Sequence, residues 1–129
     1  MSTGVLDSWA VLRFLEDSHP AATAVDDLLE HSRPLMSWIN LGEVHYVLRR
    51  AAGEDAAVET IRDLRARIDV RLPDESQVLT AARIKADNPM SYADAFAVAL
   101  ALDSDAEVWT GDPEILVENA PWRWRDLRR

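Results

Sequence analysis

The chain has 129 residues, 48% of them hydrophobic, a net charge of −9 and no cysteine. This is the size of one domain with a real core, and it excludes disulfides and thiolate metal sites. The charge argues against a nucleic-acid binder that relies on a broad basic face, but a carboxylate metal site is acidic by design and its cation offsets part of the charge. The cysteine-free composition fits a reducing cytoplasm. The opening M-S-T-G-V-L-D lacks the regions of a signal peptide, and no apolar run reaches the ~20 residues of a membrane span. A cytoplasmic protein with no membrane association is expected.

In chain order, Val5-Leu6 is a short first strand ending at Asp7. Ser8 to Asp17 carries Trp9, Leu12 and Leu15 at helical spacing, with Ser8 as a suitable N-cap. Pro20 to Glu30 opens a second helix with proline in its first turn. Pro34 to Trp38 is a second strand. Asn40 to Ala52 follows as a helix with Leu41, Val44, Val47 and Leu48 on one face, ended by Gly53. Glu54 to Ile68 is the next helix, striped by Val58, Ile61 and Leu64. Asp69 to Leu72 alternates as a strand before Pro73. Asp74 to Ala86 is helical with Val78, Ala81 and Ala82 inward, and Asn88-Pro89 breaks the chain. Ser91 to Leu102 is so apolar that burial on most sides is expected. Glu107 to Trp109 is a strand, Asp112-Pro113 starts a short last helix, and Trp122 to Leu127 alternates as an edge strand. Strands alternating with helices predict an α/β domain around a mostly parallel sheet, with helices on both faces.

Four acids stand where an apolar run stops and a helical pattern begins: Asp7 in V-L-D-S-W, Glu43 in W-I-N-L-G-E-V, Asp94 in M-S-Y-A-D-A-F and Asp112 in V-W-T-G-D-P-E. Turns that follow parallel strands share the carboxyl edge of the sheet, where open α/β sheets bind ligands. Each acid also has an ordinary explanation as a helix-start residue. Asn40 to Glu43 has the spacing of a capping box, Ser91 to Asp94 is a shorter-armed version, and Asp7 and Asp112 are good N-caps. Jointly that explanation weakens. Asp94 precedes an almost wholly apolar helix, and burying an unpaired carboxylate is costly. No lysine or arginine lies within four residues of Asp7, Asp94 or Asp112. Clustered carboxylates form a hard-oxygen site for Mg²⁺ or Mn²⁺, and such a site suits phosphodiester hydrolysis by a metal-activated water.

The strings V-L-D-S, N-L-G-E-V-x-Y-V-L, S-Y-A-D-A-F-A-V-A-L-A and T-G-D-P-E resemble the PIN domain, and within it the VapC toxins of toxin–antitoxin pairs. The resemblance spans essentially the whole chain and implies one PIN-like, three-layer α/β/α domain over residues 1–129 with a short parallel sheet. It implies Mg²⁺- or Mn²⁺-dependent endoribonuclease activity on RNA, a VapB-type antitoxin partner and a homodimer. By position, the family's acidic quartet falls on Asp7, Glu43, Asp94 and Asp112. Ser8 and Thr110 match polar positions beside it, and Glu114 matches an outer acid. Trp9 departs from the smaller residue usual there, which bears on groove shape.

Other readings compete. A receiver-like phosphotransfer module with Asp7 as acceptor needs an acidic pair beside the first acid and a lysine after a late strand, and neither stands at those places. A phosphatase with two close aspartates after its first strand fails because L-D-S-W has one. A non-catalytic acidic binding module keeps the quartet for structure alone. His19, His31 and His45 read as surface or structural histidines, Lys85 as a solvated helix end, and the tryptophans as core and sheet packing. Positive charge is unevenly spread, crowding at arginines 62–67 and 123–129, and the ordinary reading of both groups is a solvated surface. The helical stripes between Asn40 and Ile68 exceed what one small sheet needs, and suit an amphipathic partner helix.

Overall fold

A computed structural model describes residues 4–129. Its strands are β1 (Gly4–Leu6), β2 (Leu35–Ser37), β3 (Asp69–Arg71), β4 (Glu107–Thr110) and β5 (Arg123–Asp126). Its helices are α1 (Ser8–Leu15), α2 (Ala21–His31), α3 (Trp38–Ala52), α4 (Glu54–Arg67), α5 (Glu75–Asp87) and α6 (Tyr92–Asp103). The sheet order is β3-β2-β1-β4-β5 and every pairing is parallel. From β1 the chain moves outward through β2 to β3, then crosses back to β4 on the other flank of β1. The carboxyl ends of β1 and β4 therefore meet at the switch point, where an open parallel sheet leaves a crevice.

The two-residue period of a strand divides the core. Val5, Leu35 and Val108 pack beneath α5 and α6, with Ala81, Ile84 and the buried run of α6. Leu6 and Met36 point the other way, joining Val11, Val25, Leu41, Val44, Ile61 and Leu64 of α1 to α4. The result is the three-layer α/β/α arrangement expected from the sequence, with a wholly parallel sheet. In α6, all eight residues from Asp94 to Ala101 are buried. Burying Phe96, Val98 and Leu100 contributes about 1.5–3 kcal/mol each, which holds Asp94 away from water despite its charge.

Several local expectations are corrected. Ser8 is the first residue of α1 and not its cap; Asp7 caps it, taking the Ala10 N–H at 2.9 Å. Helix α3 starts two residues before Asn40, capped by Ser37, which accepts from the Ile39 N–H at 3.2 Å. Asn40 and Glu43 are thus interior helical residues, and the proposed capping box does not exist. Ser91 does cap α6, accepting from the Asp94 N–H at 3.1 Å. Val47, Val58 and Val78 are exposed, as is Ala82, while Ala57 and Ile84 take inward positions. Residues 113–115 form a turn, not a helix. The indole N–H groups of Trp122 and Trp124 take the carbonyls of Ile115 and Val117 at 2.9 and 3.0 Å, so that segment is held by side chains and does not propagate.

Candidate functional site: a carboxylate centre at the sheet switch point

Asp7 leaves the end of β1 fully buried. Its Oδ1 caps α1, and its Oδ2 accepts a hydrogen bond from the Thr110 hydroxyl at the end of β4. Thr110 Oγ1 in turn accepts from the Asp112 N–H at 2.9 Å. One threonine thus ties the two central strand ends together and fixes the start of the loop that carries Asp112. Asp112 Oδ1 accepts from the Glu114 N–H at 2.9 Å, an Asx-type turn that explains its place better than a helix cap does.

Glu43 reaches the same crevice from α3. Ser8 Oγ donates to Glu43 Oε1 at 2.8 Å, so the residue after Asp7 steers the second acid. Asp94 enters on the first turn of α6. Asn40, one turn before Glu43, donates through Nδ2 to the Ala93 carbonyl at 3.0 Å and so links the helix of Glu43 to the helix of Asp94. Asn40 is fully buried and its Oδ1 has no partner. In the sequence Asn40 looks like a capping residue, and its only other signal is a buried-face position one turn from Glu43.

Asp94, Asp112 and Glu114 offer oxygens that all lie within 4.8 Å of one another. Glu114, expected at the periphery, is therefore part of the tightest triple. Asp7 and Glu43 are not in it; both Asp7 oxygens accept hydrogen bonds and Glu43 accepts from Ser8. They are still close enough to be felt. The Asp7 carboxyl is pushed up to about 7, first by burial, against the hydrogen bonds from Thr110 and Ala10, and further by the charges of Asp112 and Glu43. Asp94 is also raised, first by burial, then by its hydrogen bond and charge contact with Asp112, then by Asp7. Among the described residues, none of these five acids has a lysine, arginine or histidine partner within 4.0 Å, although ten such pairs occur elsewhere. Crowded carboxylates with raised affinity for positive charge and no protein cation fit a hard divalent ion.

Two hollows of about 330 and 290 Å³ lie elsewhere, one lined by Trp109, Arg125 and residues of α2, the other by Phe14, Asp17, His19 and residues of α2. Neither is lined by one of the five acids. The histidines are accounted for structurally: His19 contacts Thr23 and Asp17, His31 the Asp27 carbonyl, and His45 pairs with Glu54 at 3.3 Å.

The PIN domain family model matches residues 4–118, and the chain belongs to that family. No curated protein sequence matches it significantly. Solved structures with the same fold include VapBC-1 from nontypeable Haemophilus influenzae, at 22% identity and a TM-score of 0.76 over 98% of this chain and 99% of that one. DNA-bound VapBC from Salmonella typhimurium superposes with a TM-score of 0.78 at 16% identity, over 98% and 99%. VapC20 of Mycobacterium tuberculosis, described as a toxin that cleaves the sarcin-ricin loop, matches at 18% identity and a TM-score of 0.69, over 88% and 92%. No helix of the described residues is long and apolar enough to cross a membrane.

Proposed function

We propose that this chain, as one domain over residues 1–129, is a metal-dependent endoribonuclease of the VapC type that acts in the cytoplasm and is neutralised by a VapB-type antitoxin. The observation that carries the reading is the convergence of Asp7, Glu43, Asp94, Asp112 and Glu114 at the sheet switch point with no protein cation among them. Asp94 and Asp112 would hold Mg²⁺ or Mn²⁺ directly, with Glu114, and Asp7 and Glu43 directly or through water. When bound, the ion would supply an acidified water and stabilise charge on the scissile phosphate of RNA. The chain's own residues set the geometry. Thr110 holds Asp7 and the Asp112 loop in register, Ser8 aims Glu43, and Asn40 fixes the spacing of α3 and α6.

The partner reading has two supports. Ile39, Tyr46, Val47 and Val58 leave apolar surface exposed on α3 and α4, a face suited to an amphipathic helix. Relatives of the same fold were also crystallised as toxin–antitoxin complexes, including one from Klebsiella pneumoniae. A basic residue of the antitoxin placed among the carboxylates would compete with metal. A homodimer is part of the same reading. The non-catalytic alternative keeps the acids as structural groups, yet five acids without a cationic partner destabilise a fold more than they support it.

The test is co-expression with the neighbouring small reading frame, followed by cleavage assays on labelled RNA before and after that partner is removed. Cleavage that appears on removal and stops with EDTA supports the proposal. A partner-free protein that leaves RNA intact in Mg²⁺ and in Mn²⁺ contradicts it.

A further inference from the structure

Trp9 stands in the first turn of α1, beside the carboxylates. The edge of its indole fills the space a side chain at Gly111 would need: a Cβ there would lie 2.2 Å from the ring. The ring is therefore pressed against the backbone between Thr110 and Asp112. Arg13, one helical turn on, holds its guanidinium 4.8 Å from the centre of the Trp9 ring, and its Nη1 donates to Glu16 Oε1 at 3.0 Å. A guanidinium held by a ring face and a carboxylate loses little further freedom when it binds an anion.

The same Thr110–Gly111 peptide is closed from the other side by β5. The Leu127 N–H donates to the Thr110 carbonyl at 2.9 Å, and Leu127 is buried. Beyond it, Arg128 grips the Asp126 carboxylate through Nε at 3.0 Å and Nη2 at 2.9 Å, and Arg129 Nε lies 3.4 Å from the same carboxylate. Two cations thus share one acid. Arg123 and Arg125, further back on β5, each have an acid of their own, Asp105 and Glu107. Because β5 runs parallel to β4, the under-neutralised pair emerges at the same sheet edge as Asp112. Arg13 lies six residues along α1 from Asp7, ~9 Å along the helix axis.

We infer that Arg13 and the Arg128–Arg129 pair form a phosphate-binding rim that leads single-stranded RNA past the carboxylate centre, with Trp9 as the wall that holds Arg13 beside the exit of β4. This rests on the ribonuclease reading above. A centre of five acids repels a polyanion, so an acidic chain gains from cations held close to that centre, and these three arginines, though each contacts an acid, flank the peptide that leads into Asp112. Anchored guanidinium groups suit phosphate oxygens. One arginine and an arginine pair flanking one peptide suit a single backbone, which single-strand binders track with a charged groove.

The experiment titrates a fluorescent single-stranded RNA with the full chain in EDTA over a series of salt concentrations, for wild type, Arg13→Gln and the double variant Arg128→Gln/Arg129→Gln. Each lost phosphate contact lowers the slope of log K against log salt by ~0.7. The expected losses are therefore ~0.7 for the first variant and ~1.4 for the second. The KM for RNA cleavage should rise with kcat nearly unchanged, and the melting shift caused by Mn²⁺ should stay as in wild type. Arg13→Gln leaves Asp126 untouched, so a folding defect in the double variant does not remove the test. A wild type that cleaves RNA, with unchanged salt slopes and unchanged KM in both variants, overturns the rim and leaves the ribonuclease reading standing. A wild type that neither binds nor cleaves RNA overturns both.

Discussion

Replacing Asp94 by asparagine should stabilise the metal-free protein and remove most of its response to metal. Asp94 is buried, and its oxygens lie within 4.8 Å of those of Asp112 and Glu114. Two unit charges at that separation repel by ~3 kcal/mol at an effective dielectric of about 20. The amide removes that charge, can still donate to Asp112, and leaves the Ser91 cap intact because that bond uses the backbone N–H of residue 94. The pH dependence has a definite sign. Asp7 is raised from its ordinary 3.8 to about 7, and Asp94 is raised as well. A carboxyl whose folded pKa lies above its unfolded value contributes stability that is fully present below the unfolded pKa and is lost as pH rises through the folded one. Asp126 is shifted downward by Arg128, so its contribution is lost only as pH falls below the ordinary carboxylate range and stays constant above it. Metal-free wild type should therefore lose stability between about pH 4 and 8, and Asp94→Asn should lose less. At pH 9 the variant should lead by ~3 kcal/mol, or roughly 10 °C in melting temperature for a chain of this size. Mn²⁺ at a thousand times its Kd adds ~4.1 kcal/mol to wild type and little to the variant, so the order reverses. Melting curves in EDTA and in Mn²⁺ across that pH range decide the matter. A variant that melts below wild type at pH 9 in EDTA, and gains as much from Mn²⁺, would mean Asp94 is an ordinary first-turn acid.

Thr110→Val removes the hydroxyl between Asp7 and the Asp112 N–H while keeping its shape. Leaving those partners unsatisfied should cost ~1–3 kcal/mol and weaken Mn²⁺ binding ~10–100-fold; calorimetric titration that finds wild-type affinity would remove Thr110 from the site. Gly111→Ala drives a Cβ into the Trp9 ring, so melting should fall by the equivalent of ~1–3 kcal/mol, with partial recovery when Trp9→Leu is added. Bound antitoxin should protect amides between Asn40 and Ile68 from hydrogen exchange, since Tyr46, Val47 and Val58 lie exposed there; protection confined to β5 would place the partner elsewhere.

The strand–helix alternation of this chain is legible because burial imposes it. Val5-Leu6, Pro34 to Trp38 and Glu107 to Trp109 are apolar runs too short for helices, and each became a strand of the parallel sheet. Asp7, Asp94 and Asp112 are visible for the same reason, since each follows such a run or opens a helix packed beside it, whereas Glu43 lies in the interior of α3. What the sequence hid depends on long-range partners. Helix α3 starts at Trp38, not Asn40, because Ser37 supplies the cap from inside the sheet. The turn after Asp112 failed to become a helix because two tryptophans from β5 and its approach took its carbonyls. Val58 carries the right spacing for a core stripe, yet α3 and α4 pair so that Ala57 faces inward and Val58 does not. The contacts of Ser8 with Glu43, 35 residues apart, and of Asn40 with Ala93, 53 apart, have no local signature at all.

The central claim is that these acids bind a divalent ion for RNA hydrolysis. Its most direct test is cleavage of a labelled single-stranded RNA by purified, antitoxin-free wild type and Asp94→Asn, each in Mn²⁺ and in EDTA. Internal cuts are expected only for wild type in Mn²⁺, with a loss of orders of magnitude in the folded variant, because metal-activated water and phosphate charge stabilisation fail together. Equal cleavage rates for wild type and variant, or cleavage by wild type that EDTA does not stop, would contradict it.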